Sequence, residues 1–93
     1  MIQINNAKLL KGYDHWKNEF EKESNIQMRE RAGIKVLAYG WNEERERMYS
    51  VVEIESPESV KQVLMSPEGM QAIQDAGVDM TSIGNDPPDL IIL

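Results

Sequence analysis

The sequence contains no cysteine, which excludes disulfide bonds, thiolate metal sites and cysteine nucleophiles. Its single histidine, His15, is too little imidazole for a histidine-ligated metal site. The longest aliphatic run, residues 90–93, is far shorter than the ~20 residues of a membrane span, and no basic region followed by an apolar stretch opens the chain. We therefore expect a cytoplasmic protein with no membrane partner, metal or cofactor.

Basic residues are scarce in the second half of the chain. Residues 1–47 carry a net charge of +1, whereas residues 48–93 carry −7, with Lys61 as their single base. Because affinity for nucleic acids comes largely from clustered Lys and Arg, the overall charge of −6 argues against a nucleic-acid partner. The acidic half is interpreted as a solvated surface, with docking of a cationic partner as the alternative.

What the sequence does contain is typical of one folded domain, predicted to span residues 1–93. A length of 93 residues suits a single domain, and 41% hydrophobic residues suffice for a core.

A β-hairpin is predicted around the polar tip at residues 42–47, between apolar segments 34–41 and 48–54. Alternation places Leu37, Tyr39 and Trp41 on one face and Val36, Ala38 and Gly40 on the other. Both faces are apolar, so a layer of helices on one face leaves the other in need of a cover.

Before the hairpin, a first strand is predicted within residues 2–10, with a bulge or turn near Asn5-Asn6. A helix follows, with Asp14 as its cap and Tyr13, Trp16 and Phe20 along one side. It is expected to come in two pieces that break near Asn25, and Gly33 suits the left-handed position after it.

After the hairpin, Ser56-Pro57-Glu58 and Ser66-Pro67-Glu68 each resemble a helix start. The second helix is therefore expected to restart at Pro67. Residues 79–89 are predicted to be an irregular loop and residues 90–93 a fourth strand. The predicted fold is α+β and ferredoxin-like, with the order βαββαβ and both helices on one face of a four-stranded antiparallel sheet.

Four groups of residues resemble a family of small, mostly uncharacterised dimeric α/β-barrel proteins: Tyr13-Asp14-His15-Trp16 with Phe20, Arg31-Ala32-Gly33-Ile34, Ser66-Pro67-Glu68 and Ala76-Gly77-Val78. This family belongs to the ferredoxin-like superfamily that includes antibiotic-biosynthesis-type monooxygenases. The resemblance implies a homodimer in which two sheets pair face to face, which would supply the missing cover. Many relatives carry a histidine late in the first helix, where this chain has residues 21–24, Glu-Lys-Glu-Ser, so no catalytic residue carries over.

An aromatic and thioether set from the first helix and the hairpin, with the histidine, forms the candidate pocket: His15, Trp16, Tyr39, Trp41, Met48 and Tyr49. The alternative is that these side chains are only core and dimer interface. No serine elbow, calcium loop or phosphate-binding glycine loop accompanies them.

The resulting hypothesis is a homodimeric barrel protein that is non-catalytic or binds a small apolar or aromatic molecule. The alternative is a cofactor-independent monooxygenase or isomerase acting on an aromatic or polyketide-like substrate, with His15 or Tyr39 assisting proton transfer.

Overall fold

Four strands and four α-helices make up the computed structural model of the protein, which describes residues 1–86. The strands are β1 (Ile2–Ala7), β2 (Lys35–Asn42), β3 (Arg47–Glu53) and β4 (Gly84–Asp86). The helices are α1 (Tyr13–Phe20), α2 (Glu23–Arg31), α3 (Pro57–Met65) and α4 (Pro67–Asp75). A 3₁₀ turn, Met80–Ser82, leads into β4.

The strands form one antiparallel sheet in the order β2-β3-β1-β4. Three long strands carry it, and the three-residue β4 extends it beside β1. With paired helices between the strands, the described residues confirm the predicted α+β class and an antiparallel sheet. The strand predicted at residues 90–93 lies outside them.

Two predictions about the β1 edge of the sheet are wrong. The strand β1 runs without interruption through Asn5 and Asn6, because both residues pair with β3 and the Asn6 Oδ1 accepts a 2.7 Å hydrogen bond from Arg47. Residues 84–86, predicted as loop, form β4, because their backbone pairs with the free edge of β1.

The predicted hairpin is confirmed, but a bulge changes which residues share a face. Val36 pairs with Val52 and Ala38 pairs with Val51, so Leu37 is an additional residue in β2. Val36 therefore packs with Val52 on the helix-covered face, where Tyr39 and Trp41 also lie. Leu37 is instead 47% exposed, so its predicted place beside Tyr39 and Trp41 is wrong.

The first helical segment breaks in two as predicted, but the break lies at residues 21–22 and not at Asn25. Asn25 lies in the first turn of α2 and donates a 2.6 Å hydrogen bond to the Glu19 carbonyl, which holds α2 against the end of α1. Gly33 follows α2 with φ of +75°, as predicted. The predicted cap is wrong, because Gly12 occupies the N-cap of α1 and Asp14 lies within its first turn.

The second helical segment restarts at Pro67, also as predicted. Ser66 ends α3 and caps α4, because its hydroxyl accepts a 2.9 Å hydrogen bond from the Gly69 amide. The two helices approach so closely that a Cβ at Gly69 would lie 1.7 Å from the Val63 carbonyl oxygen. Glycine is therefore required at this junction.

All four helices cover the same face of the sheet. Alternate residues of β3 point towards them, namely Met48, Ser50 and Val52, and each is buried. The apolar core on this face forms two separate clusters. One surrounds Trp16 and Met48, and the other surrounds Ile34 and Val52.

Candidate functional site

A cavity of about 170 Å³ lies between the sheet and the helices. All four helices contribute to its wall, through residues such as Trp16, Met28, Val63 and Ile73. The apolar side chains of both core clusters face it, so the cavity occupies the space where the two clusters would otherwise meet. Small-molecule sites in proteins are usually concave and mostly apolar in this way.

Polar side chains from two neighbouring strands lie on the sheet side of this cavity. Asn5 of β1 pairs directly with Ser50 of β3, and both residues line the cavity. Ser50 is only 6% exposed. Within residues 1–86, its hydroxyl and the Asn5 amide make no side-chain hydrogen bond. Because buried polar groups are usually hydrogen-bonded, these two groups are suited to orienting a bound molecule.

A half-buried cation, Arg29 of α2, lies on the helix side of the cavity. Its Nη2 donates a 2.8 Å hydrogen bond to the Phe20 carbonyl at the end of α1. Its guanidinium carbon lies 3.9 Å from the centroid of the Phe20 ring, a cation–π contact. Burial lowers the pKa of Arg29, but an arginine side chain stays protonated at neutral pH.

Stacked aromatic rings form the end of the cavity next to α1. Trp16 is 3% exposed, and its ring centroid lies 4.5 Å from that of Phe20 and 5.8 Å from that of Tyr39. The spacing of Trp16 and Phe20 along α1 puts both rings on the side that faces β2 and β3. These contacts fix the wall of the cavity, because large rings in mutual contact have few alternative rotamers.

An open cleft of about 600 Å³ adjoins the cavity beside β2. Phe20, Arg29 and Ile34 line both spaces. Across the cleft, the Tyr39 hydroxyl donates a hydrogen bond to the Glu21 carboxylate. This hydrogen bond is the main reason that the pKa of Tyr39 is raised, because it stabilises the protonated phenol.

Two crystal structures of protein Atu4242 from Agrobacterium tumefaciens match this architecture. One is described as a NIPSNAP family protein with unknown function. The fold of this chain is similar to that of a NIPSNAP family protein. The matches have TM-scores of 0.64 and 0.65 and cover 91% of this chain, and 88% and 82% of the matched chains. At 12% sequence identity, they show the fold alone.

No protein-family model matches the sequence, and no curated protein sequence matches it. The likeness to the NIPSNAP family protein is therefore one of structure, and it assigns no activity to the cavity.

The structure separates the residues predicted to form one pocket. Trp16 and Met48 line the cavity, and Tyr39 lines the cleft. The other three predicted residues line neither space: His15, Trp41 and Tyr49.

Each of these three residues has its own local partner. His15 Nε2 donates to the Asp75 carbonyl at 2.7 Å, and Trp41 Nε1 donates to Glu43 at 2.9 Å. The Tyr49 hydroxyl accepts from Arg45.

Sequence reasoning missed the polar members of the cavity. Neither Arg29 nor Ser50 was among the predicted pocket residues, and Asn5 was predicted to lie near a bulge or turn. Ser50 stands alone between apolar residues of β3. A hydroxyl at a core position of a strand that is otherwise apolar was the signal available in the sequence.

Within residues 1–86, no helix is long and apolar enough to cross a membrane, and no three metal-ligating side chains come together. The cytoplasmic location stays a prediction.

The hydrogen bond between Tyr39 and Glu21 leads us to expect that the pKa of Tyr39 depends on the residue at position 21. Replacing Glu21 with glutamine should lower the pKa of Tyr39 towards the ordinary phenol value, because the anionic acceptor is lost. NMR titration of the tyrosine ring resonances measures this directly. Tyr13 and Tyr49 serve as internal references in the same spectra.

The raised pKa also fixes the direction of its effect on stability. The pKa of Tyr39 in the folded protein lies above its pKa in the unfolded chain. The hydrogen bond to Glu21 therefore stabilises the fold fully at pH values below the unfolded-state pKa, and this stabilisation is lost as the pH rises through the folded-state pKa. A Tyr39 pKa that is unchanged in Glu21→Gln would contradict the hydrogen bond.

Proposed function

We propose that this protein is a homodimeric α/β-barrel protein that binds a small apolar molecule in the cavity between sheet and helices. The observation that carries this proposal is an apolar cavity bordered by two polar side chains, Asn5 and Ser50, which make no side-chain hydrogen bond within residues 1–86. A close-packed core contains few voids larger than a water molecule, so a cavity of this size departs from ordinary packing.

The size of the cavity limits the ligand to about one ring. An apolar cavity of roughly 150 Å³ takes up benzene, and the cavity here is about 170 Å³. The aromatic wall formed by Trp16 and Phe20 suits a flat apolar molecule, since aromatic rings stack or meet edge to face.

The arrangement favours binding over turnover. His15, the side chain best suited to proton transfer near neutral pH, donates to the Asp75 carbonyl and does not line the cavity. Tyr39 lines the cleft, and its raised pKa makes it a poorer source of phenolate at neutral pH. No observation therefore favours the monooxygenase or isomerase alternative.

The dimer is proposed from the face of the hairpin that the helices leave uncovered. Leu37 and Ala38 of the bulge are both exposed opposite Val51. Exposed apolar side chains that lie together on one surface often mark a site of interaction with another molecule. The occupant is a second copy of the chain, because the family that the sequence resembles pairs two such sheets face to face.

Ligand binding is tested with toluene, a neutral apolar ring, followed by NMR. The indole N–H of Trp16, which lines the cavity, is expected to shift on titration, while that of Trp41 stays in place. Saturation at 100 times the Kd should also stabilise the protein by about 2.7 kcal/mol.

A pair of leucine variants on α4 provides the control. Ala72→Leu adds volume inside the cavity and should weaken toluene binding, whereas Gln74→Leu places a leucine at an exposed site of the same helix and should not. Equal shifts of both indoles, or no shift of either, would contradict a site in the cavity.

The dimer is tested by light scattering at micromolar concentration, where the mass of two chains is expected. Leu37→Lys should give single chains with an unchanged circular dichroism spectrum, because it places charge in the proposed interface. The matched control is Leu10→Lys, since Leu10 is 72% exposed in the segment after β1. Single chains in the unaltered protein would contradict the dimer.

A further inference from the structure

We propose that the ligand of the cavity is a small apolar carboxylic acid, whose ring occupies the cavity and whose carboxylate binds the guanidinium of Arg29. This inference rests on the proposed function, because it specifies the chemistry of a molecule in the same cavity.

Among the described residues, the Arg29 charge has no anionic partner in an ion pair. Within residues 1–86, no carboxylate lies within 4.0 Å of its guanidinium. Its polar contact is the Phe20 carbonyl, which occupies one nitrogen of a group with five N–H donors. Burying a cation is costly unless it is paired, so a half-buried guanidinium without an acid favours an anion from outside the chain.

A neighbouring arginine on the same helix shows the contrast. Arg31 is exposed, and its Nη2 contacts both carboxylate oxygens of Glu68, at 3.0 and 3.2 Å. The exposed arginine thus has an acid partner, where an ion pair contributes little, while the half-buried one has none within residues 1–86. Two acids lie near Arg29 in the fold, but Glu21 accepts from Tyr39 and Glu30 makes no ion pair with it.

Arg29 lies between two spaces. It lines both the cavity and the adjoining cleft, together with Phe20 and Ile34. A carboxylate at this boundary keeps part of its hydration from the cleft while the apolar part of the molecule enters the cavity. This placement suits an amphiphile, since the charged end remains near water and the ring is buried.

The shape of the Arg29 guanidinium also suits a carboxylate. A guanidinium is a planar fork that matches a carboxylate with two parallel hydrogen bonds, and such charge-assisted bonds are stronger than neutral ones. The contact with the Phe20 ring and the bond to its carbonyl both restrain the Arg29 side chain. The binding group is therefore held in place before the ligand arrives, which lowers the entropic cost of binding.

The test compares two molecules that differ in the charged end alone, 3-phenylpropionate and 3-phenylpropan-1-ol, by calorimetry on the full chain at neutral pH and low salt. The acid is expected to bind about tenfold or more tightly than the alcohol, the usual gain from a charge-assisted hydrogen bond. Arg29→Gln should abolish this preference, so that the acid and the alcohol bind with equal affinity. Arg31→Gln is the matched control and should preserve the preference.

The possible failures are distinguishable. Equal affinities for acid and alcohol, displaceable by toluene, would overturn the carboxylate and leave the cavity as the ligand site. Failure of both molecules and of toluene to bind would overturn the inference together with the proposed function. An acid preference that survives in Arg29→Gln would assign the carboxylate to another group and overturn the role of Arg29.

A measurement on the unaltered protein covers the case in which Arg29→Gln does not fold. The Nε–H resonance of Arg29 is expected to shift with 3-phenylpropionate and not with the alcohol, while that of Arg31 stays in place with both. An Arg29 resonance that does not move in the presence of bound acid would overturn the inference.

Discussion

At its centre, the helix-covered face of the sheet carries two polar residues on neighbouring strands, Asn5 opposite Ser50. The rest of the site depends on the presence of this polar pair in an apolar core. On either side of the pair, β3 presents Met48 and Val52, each of which anchors an apolar cluster against the helices. A valine in place of Ser50 would fill space and allow the clusters to merge. With a hydroxyl there, apolar side chains gain less by closing over it, because the buried polar group would lose water without gaining a partner.

The helix layer surrounds the cavity in four short pieces. Each helical segment is broken in two, and the breaks at residues 21–22 and at Ser66 let the four helices follow the edge of the cavity. The first break also brings the end of α1 next to Arg29, whose guanidinium binds the Phe20 carbonyl. The polar pair of Asn5 and Ser50 and the half-buried Arg29 thus border the same cavity. Groups that lower the stability of a fold commonly gather at binding sites.

Local signals in the sequence predicted most of the fold. The Ser-Pro-Glu starts, the glycine after α2 and the apolar segments around a polar tip each correspond to an element of the structure, because each depends on neighbouring residues. Features that depend on distant partners were missed. The bulge at Leu37 is set by pairing with β3, and β4 forms because β1 offers a free edge.

The candidate site was predicted less well than the fold, for the same reason. Trp16 and Met48 were found because large apolar residues at core spacing lie in the core whatever the partner. Tyr39 and Trp41 have the same spacing but lie nearer the rim, and His15 is turned away to Asp75. What distinguishes Arg29 from Arg31 is burial and the position of Glu68, which is distant in sequence and close in space.

The proposed binding site requires an open space between the two core clusters, and xenon tests for this space without assuming any ligand chemistry. A crystal of the protein pressurised with xenon should show the atom in the cavity next to Trp16, Met48 and Val52, since apolar cavities of about this size take up xenon. A crystal structure in which the two clusters are in direct contact, with no xenon between sheet and helices, would contradict it.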